Sequence, residues 1–258
     1  TAALSSDDII QQTVSSEETF KTKEESHLYL SLYGFASKVN GNVGIGNKTT
    51  YIQVPFSEIW HNLDSAFMGH LDFSKGKWGL AIDHQYSKVS MDKQKGIQIM
   101  PNMTIPLDID LITKLNRTSV GVYYTALDKT YPNKKQRLLL APTIGMHFTN
   151  ASAKIGATSA YLPQQLHEDR SVYWSEPYIG TRFLYEFNEK WNLAGQLDIG
   201  TKNSKGYQAY VGYRTKVFDL PANIRVGYRM ISQDHKEGDF NWDIRQYGPV
   251  IGLSLQFN

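Results

Sequence analysis

The final run of the chain, residues 246–258, constrains the fold more than any other stretch. Read with a period of two, one face carries Tyr247, Ile251, Leu253, Leu255 and Phe257. The other carries Gln246, Gly248, Gly252, Ser254 and Gln256. Side chains of a β-strand alternate between faces, so this is a strand with one apolar side and one small, polar side. A soluble sandwich rarely ends on such a strand. A barrel closed within a bilayer does: apolar residues meet lipid, small or polar ones meet the lumen, and an aromatic marks the interface. Asn258 follows Phe257, a small departure from a terminal aromatic.

The rest of the chain agrees with a barrel and excludes several alternatives. No stretch approaches the ~18 consecutive apolar residues of a membrane helix. The mean hydropathy of -0.41 resembles that of a soluble protein, but barrel strands show only alternation and so leave hydropathy low. With no cysteine there is neither a disulfide framework nor thiol chemistry. The 16 Tyr and 5 Trp suit interfacial aromatic girdles. A net charge of +2 gives no reason to expect nucleic acid as a partner. The chain begins at Thr1, which leads us to expect that a signal peptide has been removed.

Two regions are expected: a flexible polar segment, 1–25, and a barrel, 26–258. The first holds six acids against two lysines and is read as a periplasmic tail or a lumen plug. From His27 onward, strand-like runs recur at about 27–37, 64–74, 77–89, up to 127, 136–148, 172–187, 191–200, 207–217 and 223–232, and the loop 233–240 brings in the tenth, closing strand. Tight turns at Lys75-Gly76, Asn188-Glu189-Lys190 and Asp219-Leu220-Pro221 all fall on one side, and the longest loops fall on the other. That parity predicts an all-β fold: a transmembrane, antiparallel, up-and-down β-barrel of about ten strands with both termini on one side. Twelve strands remain the alternative, because 49–54 and 93–118 also read as extended. A short helix is expected in the first long loop, carrying Ser57, Trp60 and His61.

Alternation assigns lipid-facing residues such as Phe67, Leu71, Trp78, Leu80, Val122, Ile144, Ile179, Leu197, Val211 and Val226. The opposite parity assigns a lumen containing His70, Asp72, Asp83, Glu176, Arg182, Arg214, Arg225, Arg229 and Asp198, with Gln85, Glu186, Gln196, Gln208 and Lys216. Counted back from its turn, Arg214 is expected opposite Arg225, with Arg229 farther up. Like charges directly opposed destabilise a ladder, so acids or an anionic guest are expected nearby. Three readings follow: a salt-bridge network filling the barrel, a basic wall facing an acidic wall, or neutralisation by Asp7, Asp8, Glu17 and Glu18 of the tail. His70, Asp72 and Asp83 raise the question of a His–carboxylate dyad. Their mid-barrel level and the lack of a placed nucleophile argue against catalysis, so no enzyme activity is expected. No metal-ligand spacing occurs, and no cofactor is expected.

The run from Pro55-Phe56-Ser57-Glu58-Ile59-Trp60-His61-Asn62-Leu63-Asp64 through Phe67-Met68-Gly69-His70-Leu71-Asp72 to Trp78-Gly79-Leu80 resembles a poorly characterised group of Gram-negative outer-membrane β-barrel proteins. Leu32-Tyr33-Gly34-Phe35 and the closing run Gly248-Pro249-Val250-Ile251-Gly252-Leu253 match the same group. The resemblance implies a bacterial outer-membrane location and a small, porin-like barrel, and carries over no catalytic residues. Outer-membrane lipid and lipopolysaccharide are the implied surroundings. The leading functional expectation is a passive channel for small polar or amphipathic solutes. Its rival is a non-conducting structural or accessory subunit with a periplasmic or outer-membrane protein partner, and an enzyme stands third.

Overall fold

The structure, a computed structural model, describes residues 26–45, 48–100, 103–131, 135–158, 166–238 and 240–257. The expected segment 1–25 lies outside the described residues. The strands are β1 (Ser26–Phe35), β2 (Lys38–Ile45), β3 (Lys48–Val54), β4 (Leu63–Lys75), β5 (Trp78–Met100), β6 (Met103–Tyr124) and β7 (Leu127–Tyr131). They continue as β8 (Gln136–Thr158), β9 (Leu166–Glu186), β10 (Trp191–Gly200), β11 (Lys205–Val217), β12 (Leu220–Glu237) and β13 (Phe240–Phe257). Among the described residues one helix, α1 (Phe56–His61), precedes β4.

Every pairing is antiparallel, and the ring β1-β4-β5-β6-β8-β9-β10-β11-β12-β13 closes through β1 and β13. This is a barrel of ten staves. The alternation that predicted it also closes it, because an open sheet with an apolar outer face would leave two unpaired edges. The expected extra strand at 49–54 does exist, as β3. It pairs with β2 above the ring rather than joining it, so the count stays at ten. β1 and β2 form one stave: their partners on β13 run from Leu28↔Phe257 to Phe35↔Val250 and, after Ala36–Ser37, from Lys38↔Tyr247 to Ile45↔Phe240.

The two rims differ. On the side of the chain's first described residue the connections are tight. Gly76 takes φ 58 in the β4–β5 turn, and the Asn188 side chain accepts the amides of Lys190 and Trp191 at 2.8 and 2.9 Å before β10. The segment 128–135, expected to be only a turn, contains β7, which lies along the start of β8. On the opposite rim, paired strands continue far beyond the ring, to Met100↔Met103, Ala157↔Leu166 and Glu237↔Phe240. Between them the β10–β11 connection turns low, after Gly200. The result is a tall wall that drops at the β10–β11 turn and is also open between β3 and the upper part of β5.

The expected register of the β11–β12 hairpin is corrected. Its turn is the pair Phe218-Asp219, both at positive φ (50 and 63), rather than Asp219-Leu220-Pro221. Left-handed geometry at both central residues is what a two-residue hairpin matched to strand twist requires. The shorter turn puts Val217 opposite Leu220, Arg214 opposite Asn223, and Gly212 opposite Arg225. The two arginines are therefore not directly opposed.

Candidate functional site in the lumen

Inward-facing positions hold small and polar side chains, and those polar groups are joined across the lumen at successive levels. Nearest the tight-turn rim, Arg214 Nη2 meets Glu186 Oε1, and Asn192 and Asn223 exchange amide contacts around Gly212. Outside the span, Arg137 grips Asp128 with a two-pronged bond at 2.7 and 2.6 Å, which holds that carboxyl below its usual range.

One level up, Arg182 on β9 meets Asp72 on β4 at 2.5 Å. The Tyr123 hydroxyl donates to the same carboxylate at 2.6 Å, and the Arg182 guanidinium lies over the Tyr123 ring at 4.6 Å. Above that, Arg229 on β12 reaches Asp83 on β5 at 2.6 Å, and the Tyr33 hydroxyl donates to Asp83 at 2.9 Å. His70 sits between the two carboxylates, 3.7 Å from Asp72 and 3.5 Å from Asp83. Each arginine thus joins staves four places apart in a ring of ten, close to a diameter. A buried charge is tolerated only when paired and hydrogen-bonded, and these pairs meet that condition.

The next level is a line of three groups. Ser119 Oγ lies 2.8 Å from His147 Nδ1, and His147 Nε2 lies 3.1 Å from Asp198 Oδ1. The imidazole stacks on the Tyr178 ring, 4.1 Å between centroids. Hydroxyl, imidazole and carboxylate in this order are the components of a nucleophilic relay. Here Ser119 and His147 are 7% and 2% exposed, enclosed by the barrel wall. Arg117 and Glu176 are buried at about this height. Higher still, Gln233 on β12 donates to Thr149 on β8 at 3.0 Å. Trp174 then stacks on His235 at 4.5 Å and leans on Trp242 at 6.4 Å, with Leu115 and Ala151 packed beneath it.

Inward glycines make room for these large groups. A Cβ on Gly79 would lie 2.0 Å from the Tyr123 ring, and one on Gly145 would lie 2.7 Å from that of Tyr178.

The structure joins His70, Asp72, Asp83, Arg182, Asp198, Arg214 and Arg229 in the contacts above. Glu176 is buried with one carboxylate oxygen unpartnered, and Arg225 stands apart from these pairs. It stacks over Tyr210 at 5.0 Å and has no acidic partner among the described residues. Ser57, Trp60 and His61 lie on α1, away from the lumen. Trp60 is exposed beside Phe56, and the His61 ring contacts the Ser57 carbonyl one turn earlier at 2.6 Å. Among the described residues no group of three His, Asp or Glu side chains is placed to hold a metal ion. Tyr33, Tyr123, Tyr178, Ser119 and His147 were not singled out from sequence, although the same parity places them inside. Their partners lie across the lumen and leave no local signal in the sequence, so only the structure exposes their role.

The outer surface is the reverse of a soluble protein. Ile144 and Ile179 are 66% and 68% exposed, and Leu32, Leu197, Val211, Val226 and Ile251 share the same outer band. Near the tight-turn rim, aromatic pairs stand in register: Trp78 with Tyr124 at 5.0 Å and Trp191 with Tyr213 at 4.9 Å. An apolar band bounded by aromatics around a closed, polar-lined ring fits only a bilayer. The chain is an outer-membrane β-barrel. No helix among the described residues is long and apolar enough to cross a membrane.

No family model matches the barrel's sequence, and no curated protein matches it. Among solved structures, it is similar to Ail, the attachment invasion locus protein of Yersinia pestis, in complex with the heparin analogue sucrose octasulfate. That match has 9% identity and a TM-score of 0.36, and covers 91% of this chain and 99% of that one. Neisserial surface protein A matches with 10% identity and a TM-score of 0.36, over 91% of this chain and 100% of that one. The Pseudomonas putida toluene transporter TodX matches with 8% identity and a TM-score of 0.29, over 92% and 91%.

Proposed function

We propose that this barrel is a non-conducting outer-membrane protein, a structural or accessory subunit that meets its partner through the tall outer hairpins. The observation that carries this reading is the set of contacts between staves four places apart: Arg182–Asp72, Arg229–Asp83 and Gln233–Thr149, under the Trp174 stack. They occupy the lumen at successive heights, and opening a path means breaking buried ion pairs. Outer-membrane lipid and lipopolysaccharide surround the belt in this reading. The buried Ser119–His147–Asp198 line acts as a brace between β6, β8 and β10, so the protein has no enzyme activity.

Planar-bilayer recording of the purified full-length barrel tests the proposal. The expected result is no unitary current from protein that is folded by the shift of its band on heating. Regular conductance steps would overturn it and restore the second reading, passage of small polar solutes. That reading is favoured by a cavity in the lower lumen beside Arg225. Labelling of Ser119 by a fluorophosphonate would overturn the structural role of the relay.

A further inference from the structure

We propose that the lower lumen holds a binding site for one small oxyanion, a carboxylate or a phosphate, centred on Arg225 and Ser31. This goes beyond the scaffold role and does not depend on whether the barrel conducts.

The site is framed by the strand register. Arg225 on β12 stands opposite Gly252 on β13, Gly252 stands opposite Tyr33 on β1, and Ser31 stands opposite His70 on β4. Gly252 contributes no side chain at the centre of this group, and a cavity of about 40 Å³ opens there. A water takes ~10–15 Å³ on the same measure, so the space is that of about three waters or one small oxyanion head. Ser31, Tyr33, His70, Asp83, Gln208, Tyr210 and Arg225 supply its polar lining.

Two of the lining residues each carry a buried polar atom without a partner: Arg225 Nε and Ser31 Oγ. Ser31 is 6% exposed. Buried polar groups are nearly always satisfied, so two such atoms on residues that line one cavity point to an acceptor that a small turn of either side chain would meet. The acid at the cavity, Asp83, is already engaged by Arg229, the Tyr33 hydroxyl and His70. Its charge is therefore offset, and that of Arg225 is not. The Tyr210 ring beneath Arg225 holds the guanidinium plane in place. A planar guanidinium with a free Nε and a hydroxyl beside it match an oxyanion, which accepts from both, with Gln208 and Tyr210 within the same lining.

Carboxylate can come from two sources: a free small acid, or the acidic side chains Asp7, Asp8, Glu17 and Glu18 of this chain. Calorimetric titration of the folded full-length barrel with sodium formate and with sodium phosphate, at constant ionic strength, tests the site. The same titrations are run on a full-length variant carrying D7N, D8N, E17Q and E18Q. Saturable one-to-one binding in the unaltered chain assigns the site to free anions. Binding seen only in the neutralised variant assigns it to the chain's own carboxylates. Either result supports the site provided that Arg225→Met weakens binding by more than about tenfold, Ser31→Ala by less, and Arg225→Lys retains part of it. Absence of binding in both chains, or binding that Arg225→Met leaves unchanged in a protein still showing the heat-shifted band, overturns the proposal.

Discussion

Arg229 and Arg225 lie four positions apart on the inner face of β12 and live in opposite surroundings. Arg229 is buried, meets Asp83 at 2.6 Å and is bonded to the Tyr33 hydroxyl. Arg225 rests on a tyrosine ring, lines a cavity and forms no ion pair among the described residues. The difference comes from the far wall and not from β12 itself. At the height of Arg229 the wall presents Asp83, whereas at the height of Arg225 the neighbouring staves present Gly252, Ser31 and aromatic hydroxyls. The same residue type thus serves as a strut in one place and as a free cation in the other.

The largest expected effect tests the strut. Asp83→Asn leaves Arg229 and His70 enclosed without the charge that offsets them. Loss of one partner of a buried pair costs about 3–5 kcal/mol. Urea unfolding in micelles, followed by tryptophan fluorescence, should register that drop, and a change below ~1 kcal/mol would mean that water reaches Arg229 and the strut is not buried. A smaller effect tests the braced level beneath it. In Gly79→Ala the new methyl meets the Tyr123 ring, whose hydroxyl serves Asp72, and overpacking of this kind costs about 1–3 kcal/mol. The near-ultraviolet dichroism of the tyrosines should change with it; an unchanged spectrum and stability would show that Tyr123 is not clamped. The smallest effect belongs to the free cation. Arg225→Met should leave stability within about 0.5 kcal/mol of the parent, because no ion pair is lost. A loss above ~2 kcal/mol in the same urea series would break the comparison by revealing a structural partner for Arg225.

The closed, antiparallel barrel was legible in the sequence, because a period of two assigns each side chain to lipid or lumen once one face is apolar. The parity of Leu71, Phe73 and Ile82 alone assigns His70, Asp72 and Asp83 to the lumen side. Height within the lumen was not legible. It depends on turn position and strand stagger, and a turn at Phe218-Asp219 moves Arg225 from opposite Arg214 to opposite Gly212, a shift of two residues. Partners across the lumen depend on the curvature of the whole ring, so Arg182–Asp72 and Arg229–Asp83 leave no local signature. The place of β3 was ambiguous for a related reason. Residues 49–54 alternate as a stave does, and only its pairing with β2 alone, above the ring, shows that it is an extension.

The seam between β13 and the joined β1 and β2 bears on the order in which the molecule assembles. Its pairs, Leu28↔Phe257 through Ile45↔Phe240, join opposite ends of the described chain in a single register. The other staves meet neighbours close in sequence and can zip hairpin by hairpin, while the seam carries the highest loop-closure entropy. Closure is therefore the final event of folding. The arginine struts, which need a curved sheet to reach their acids, form only as it completes. Until then Arg229, Asp83, Arg182 and Asp72 stay hydrated on an open sheet. Sealing the seam and drying the lumen become one cooperative step.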